Sequence, residues 1–139
     1  MKKNNNKPNP QEIKENLSRF SGTSQYYRYS PLFRNFLLTD GTRYLAEACD
    51  AYWLIDAIAS HQVNPVVKNH PELQFLQFWS LTVKDGKGLL TCEWDKDQEV
   101  YTQKIGLTDF PLSYARVWVG KNEVEKGKYT FIAYLPSEN

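Results

Sequence analysis

The chain has 139 residues, 41% hydrophobic and 14% aromatic, enough for one packed core and too apolar for a disordered chain. Seventeen basic residues stand against sixteen acidic ones; Lys2, Lys3 and Lys7 precede the first periodic segment, so residues 11–139 carry fourteen basic and sixteen acidic side chains. That balance argues against general nucleic-acid binding, which draws its affinity from a basic excess, and no apolar run approaches the roughly 18 residues of a membrane span or supplies a secretory leader.

A cytoplasmic location is therefore expected, with no membrane contact. Cys49 and Cys92 lie far apart with no C-x-x-C spacing, so neither a disulfide framework nor a zinc site is encoded.

Residues 1–10 are polar and proline-broken, and are expected to form a disordered tail before a single domain over 11–139. From Gln11, the helical spacing of Ile13, Leu17 and Phe20, with Pro10 at the first turn and Gly22 past the end, predicts a short helix. The stretch from Thr23 to Leu38 holds Tyr26, Tyr27, Tyr29, Phe33 and Phe36, but it alternates poorly and Pro31 interrupts it. It is expected to be loop with at most one short strand.

Thr39-Asp40-Gly41 supplies capping chemistry for one long helix from Thr42 to Ser60, ended by Asn64-Pro65. Five strands follow, near 73–83, 89–94, 100–105, 115–119 and 129–135, with turns at Asp85–Gly88, at Asp95–Asp97 and around Glu123–Gly127. The predicted class is α+β: a C-terminal antiparallel meander of about five strands packed against the long central helix and the short N-terminal one.

At about 100° per residue, Arg43, Glu47, Asp50 and His61 gather in one sector that should face water, with Arg43 and Glu47 spaced to pair. Leu45, Ala48, Cys49, Tyr52, Trp53, Ile55, Ile58 and Ala59 wrap the rest. Asp56 breaks the pattern, projecting between Leu45 and Cys49 on the expected core side, where a carboxylate requires hydrogen-bond donors or a raised pKa. It reads either as a general acid or base at a pocket walled by Tyr52 and Trp53, or as a structural hydrogen-bond hub, the commoner role of such carboxylates.

His61, His70 and Glu72 match no metal-ligand spacing. No phosphate loop, G-x-S-x-G or triad is present, so no cofactor, metal or catalytic residue is assigned, which argues against hydrolase chemistry.

Two stretches suit binding. Glu93, Asp95, Asp97 and Glu99, interleaved with Trp94 and Tyr101, form either a solvated turn or an acidic surface for a basic partner. Tyr26-Tyr27-Arg28-Tyr29, with Arg19 and Arg34 nearby, suits a protein hot spot, base stacking or plain core packing.

Ser21–Arg28, Thr39–Glu47, Ala51–Ser60, Phe78–Val83, Thr108–Leu112 and Leu135–Glu138 together resemble a family of small bacterial proteins, also borne by phages and plasmids, whose domain has no known function. The likeness runs from about Leu17 to Glu138 and departs at Lys121–Lys128 and in the Lys/Asn tail. It brings no activity or site residues, and it implies a mobile-element accessory protein.

The expected function is a non-enzymatic protein-binding module, including inhibition of a host or defence complex, with binding residues among Tyr26, Tyr27, Arg28, Tyr52, Trp53, Asp56, Glu93, Asp95 and Asp97. The alternatives are a small-molecule binder or enzyme at Asp56, and a nucleic-acid-binding accessory protein, which the charge does not favour.

Overall fold

Asn9 opens the first helix, α1 (Pro10–Arg19), through a capping box: its Oδ1 accepts from the Glu12 N–H at 2.9 Å while Glu12 Oε1 accepts from the Asn9 N–H at 3.1 Å. The computed structural model describes residues 8–139, the side chains of Arg34, Val124 and Glu125 excepted. The tail expected over residues 1–10 lies outside them for residues 1–7.

The aromatic stretch is not a loop. It forms an antiparallel hairpin of β1 (Tyr27–Ser30) and β2 (Phe33–Leu38). Pro31 sits between the strands, where a missing N–H breaks no ladder bond, and Phe36 and Leu38 are buried while Leu37 between them is not.

The predicted long helix is two helices, α2 (Asp40–Ala48) and α3 (Tyr52–Ser60). Thr39 caps α2 by accepting from the Thr42 N–H. At the break, Ala51 N–H donates to the Ala46 carbonyl (2.8 Å) and Asp50 N–H to that of Glu47 (3.3 Å), the Schellman pattern, with Asp50 left-handed at φ 52°. An aspartate in place of the usual glycine hides this stop from sequence reading.

After a 3₁₀ turn at His61–Val63 comes α4 (Pro65–Lys68), capped by Asn64, then a second 3₁₀ turn at Glu72–Gln74. The five expected strands all form: β3 (Leu76–Lys84), β4 (Lys87–Glu93), β5 (Glu99–Leu107), β6 (Tyr114–Glu125) and β7 (Lys128–Tyr134). The segment around Glu123–Gly127, expected as a turn, is the end of β6 and the turn into β7.

They do not make a simple meander. The chain leaves β5 through a connection anchored by buried Phe110 and Leu112, and returns β6 to the free side of β3. Strand β7 then pairs with β6, and β2 pairs parallel with β7, giving a seven-stranded mixed sheet in the order β1-β2-β7-β6-β3-β4-β5.

Alternation sorts the two faces. Phe36, Leu38, Trp79, Leu81, Leu90, Cys92, Val117, Val119 and Ala133 point to the helices and meet Ile13, Leu45, Leu54, Ile55 and Ile58. Gln77 is buried among them because it is fully used: its amide exchanges bonds with Gln62, donates to the Leu73 carbonyl and accepts from Trp79 Nε1. The other parity, including Thr82, Leu89, Thr102, Tyr114 and Arg116, faces outward and is exposed or half-buried.

Candidate functional site

Asp56 is exposed, not on the core side. A continuous helix from Arg43 would carry it inward, but the left-handed turn at Asp50 resets the phase and swings it toward β1. There Tyr29 Oη donates to Asp56 Oδ1 at 2.5 Å and lies 3.1 Å from the Tyr52 carbonyl, its ring stacked 6.1 Å from that of Tyr52. Burial and the adjacent carboxylate push the Tyr29 phenol well above its ordinary value, so it stays a donor.

An open groove of about 490 Å³ beside this pair joins Tyr27, Arg28, Tyr52 and Asp56 of the predicted site residues, with Tyr29 and Arg43. Arg43 lies 4.5 Å over the Tyr27 ring and 3.5 Å from Glu47, the ion pair that the i,i+4 spacing predicts. Trp53 does not join them. It turns edge-on to Phe110, 6.2 Å away, and lines a separate notch with Ile105 and Leu107. The lining of the Asp56 groove offers one carboxylate, tyrosine hydroxyls and arginines, which suits holding a polar group more than moving protons.

His61 does not face water with Arg43. It stacks on Trp79 at 5.6 Å, with Nε2 2.7 Å from Gln103 Oε1 and Nδ1 3.2 Å from Asn64 Nδ2. Among the described residues no three His, Cys, Asp or Glu side chains gather as a metal site. Cys49 and Cys92 are buried, and burial first, then Glu93, pushes the Cys92 thiol up to about 12, which makes it a small hydrophobe in character.

The remaining predicted residues meet on the outward face of the sheet. Register places Tyr134, Trp118, Phe78 and Glu93 directly opposite one another on β7, β6, β3 and β4, one row across four strands, with Glu99 of β5 beyond it across a register shift at Cys92/Glu93. The rings interlock edge-to-face, Phe78 to Trp118 at 4.8 Å and Trp118 to Tyr134 at 6.1 Å.

At the β7 end lies a notch of about 490 Å³ walled by Tyr26, Phe75, Leu76, Ile132 and Tyr134 together with polar Thr23, Thr39, Asn122, Glu138 and Asn139, in which Tyr26 is 55% and Phe75 77% exposed. At the β4 end a notch of about 450 Å³ places Glu93, Asp95 and Asp97 around Phe78 and Trp118, with Arg116, Lys96 and Tyr114 on its rim. Glu93, Asp97 and Glu99 make no ion pair with a described residue. Asp97 is held at φ 60°, which turns the tip of the hairpin.

Sequence reasoning missed Phe75, Phe78, Trp118 and Tyr134. The signal was present: Phe78 and Trp118 are large aromatics on the parity opposite to Trp79, Val117 and Val119, so both faces of β3 and β6 are apolar where one should be polar.

Three separated blocks quoted for the family resemblance converge at the start of α2. Asp40 accepts from the Ser24 N–H and Oγ and from Tyr27 Oη, while the Glu138 carboxylate accepts from Thr39 Oγ1 and from the N–H groups of Gly41 and Leu135. A Cβ on Gly41 would lie 2.6 Å from Leu135 Cδ1 and 2.8 Å from Glu138. These blocks fasten both ends of the domain to one helix start.

No described helix is long and apolar enough to cross a membrane. No curated protein and no solved structure matches the chain. Residues 11–139 match the model of a family of unknown function, DUF6876, and the chain belongs to that family.

Proposed function

We propose that the protein is a non-enzymatic binding module that docks a protein partner on the helix-free face of its sheet. The observation that carries this reading is the row of three interlocked, half-buried aromatic rings running into the carboxylates of Glu93, Asp95 and Asp97. A sheet face packed only against water is normally polar, and aromatic side chains of this kind anchor protein interfaces.

The charge selects the occupant. The three carboxylates of the β4-end notch outnumber its two cations, Lys96 and Arg116, which favours a segment bearing lysine or arginine over a phosphate backbone, so the proposed partner is a protein with an exposed basic and apolar segment. The Asp56 groove is the weaker candidate, because its one carboxylate is already bonded to Tyr29 and one of its two arginines, Arg43, is paired with Glu47.

The test is capture of partners by the tagged full chain from nuclease-treated bacterial lysate, in parallel with Trp118→Ala and Asp56→Asn. A stoichiometric protein retained by the parent and Asp56→Asn but lost with Trp118→Ala supports the reading. A partner lost only with Asp56→Asn, or one that disappears on nuclease treatment, overturns it. So does a failure to retain any protein.

A further inference from the structure

The two ends of the aromatic row differ in charge, and the sheet sets the scale of the distance between them. Tyr134 on β7 and Glu93 on β4 are separated by three strand-to-strand steps, about 14 Å at the usual spacing of about 4.8 Å, a span an extended peptide covers in about four residues at roughly 3.3–3.6 Å each.

Resting on the binding-module reading, we infer that the face reads a two-part motif in its partner: one lysine or arginine at the Glu93–Asp97 notch and one aromatic or large aliphatic side chain, about four residues away, at the Tyr26–Phe75 notch. The segment crosses the strands of the sheet and does not extend it as an added strand.

Three features support this. Phe78 and Trp118 floor the acidic notch, where Glu93, Asp95 and Asp97 outnumber Lys96 and Arg116, so a cation held there meets rings on one side and a net negative charge on the other, which favours a basic side chain over a neutral one. The Tyr26–Phe75 notch sets the exposed rings of Tyr26 and Phe75, with Leu76, Ile132 and Tyr134, beside Thr23, Thr39, Asn122 and Asn139; Glu138 is the one acidic side chain on its wall, and its oxygens are already committed to Thr39, Gly41 and Leu135, so what it offers a partner side chain is ring contact with a neutral polar edge. Between the notches the floor is Trp118 and Tyr134, with Gly120 beside them removing a side chain from the next row.

The test uses fluorescence polarisation of the full chain with fluorescein-labelled Gly/Ser peptides of twelve residues or about that length, each carrying one Arg and one Trp at separations from one to seven. Binding should peak at a separation near four, at least about tenfold tighter than at one or seven, and should fall by a similar factor when Glu replaces Arg. Glu93→Gln with Asp97→Asn, which keeps an αL-tolerant residue at Asp97, should erase the preference for Arg over a neutral residue while leaving the contribution of Trp.

A flat dependence on separation overturns the inference, and so does equal binding of the Arg and Glu peptides or no binding across the set. Either result leaves the module reading standing if a captured partner is still lost with Trp118→Ala. If that partner is also indifferent to Trp118, both fall.

Discussion

At the scale of single residues, Asp50 decides most. With its backbone in the left-handed region, a β-branched side chain there meets the penalty that makes such conformations rare, so Asp50→Val should cost about 1–2 kcal/mol in urea unfolding. Asp50→Gly, which relieves the strain but loosens the unfolded chain, should leave stability almost unchanged.

Asp40 supplies a pH signature. Hydrogen bonds from the Ser24 backbone first, then from Ser24 Oγ and Tyr27 Oη, hold its carboxyl below the ordinary range. Its contribution is therefore present above the usual aspartate pKa of about 3.9 and is lost as pH falls through the lower folded value. Thermal melts between pH 7 and 2 should show an acid limb that is shallower in Asp40→Asn. Asp56 shows what a residue-level reading lacks: its chemistry was legible, but its direction depended on an αL turn that aspartate disguises.

At the scale of elements, all five late strands and the first helix were legible, because alternation, turn residues and caps act within a few positions of one another. The β1–β2 hairpin was not, since Phe36 is buried in the core beneath the helices, β2 finds its second partner strand in β7, far away in sequence, and local alternation is poor around Pro31. Truncating that contact, Phe36→Ala, should cost about 3–5 kcal/mol by chemical denaturation, as for a large aromatic removed from a core that cannot close the gap.

The seam between the start of α2 and the Leu135–Glu138 segment can be tested as well. Gly41→Ala forces a methyl against Leu135 and Glu138, and a loss of about 1–3 kcal/mol is expected from overpacking. The same substitution at Gly22, where a Cβ meets nothing within 4 Å, is the control and should be near neutral.

For the whole molecule, the sheet order explains why the candidate site escaped sequence analysis. Tyr26 and the acidic hairpin were both singled out, but they become two ends of one surface only because β6 returns to β3 and β7 follows it, a pairing that no local pattern encodes. If that surface is an interface, mutating it separates folding from binding: Glu93→Gln with Asp97→Asn should shift the unfolding midpoint little, since Asp97 is exposed, Glu93 is half-buried, and neither forms an ion pair with a described residue. Partner affinity should weaken as salt rises from about 50 to 200 mM in the parent, and less so in the double variant.

The parallel pairing of β2 with β7 also imposes an order of events on biosynthesis. The Thr39 hydroxyl lies 3.3 Å from the Ala133 carbonyl, 94 residues further along the chain, so the first hairpin leaves the ribosome with its inner edge unsatisfied. It must wait until Lys128–Tyr134 has been made before the sheet can close around it. During that interval the apolar residues of β2 are open to wrong partners, which makes recovery of this domain depend on translation speed and chaperone supply more than the stability of the finished fold would suggest.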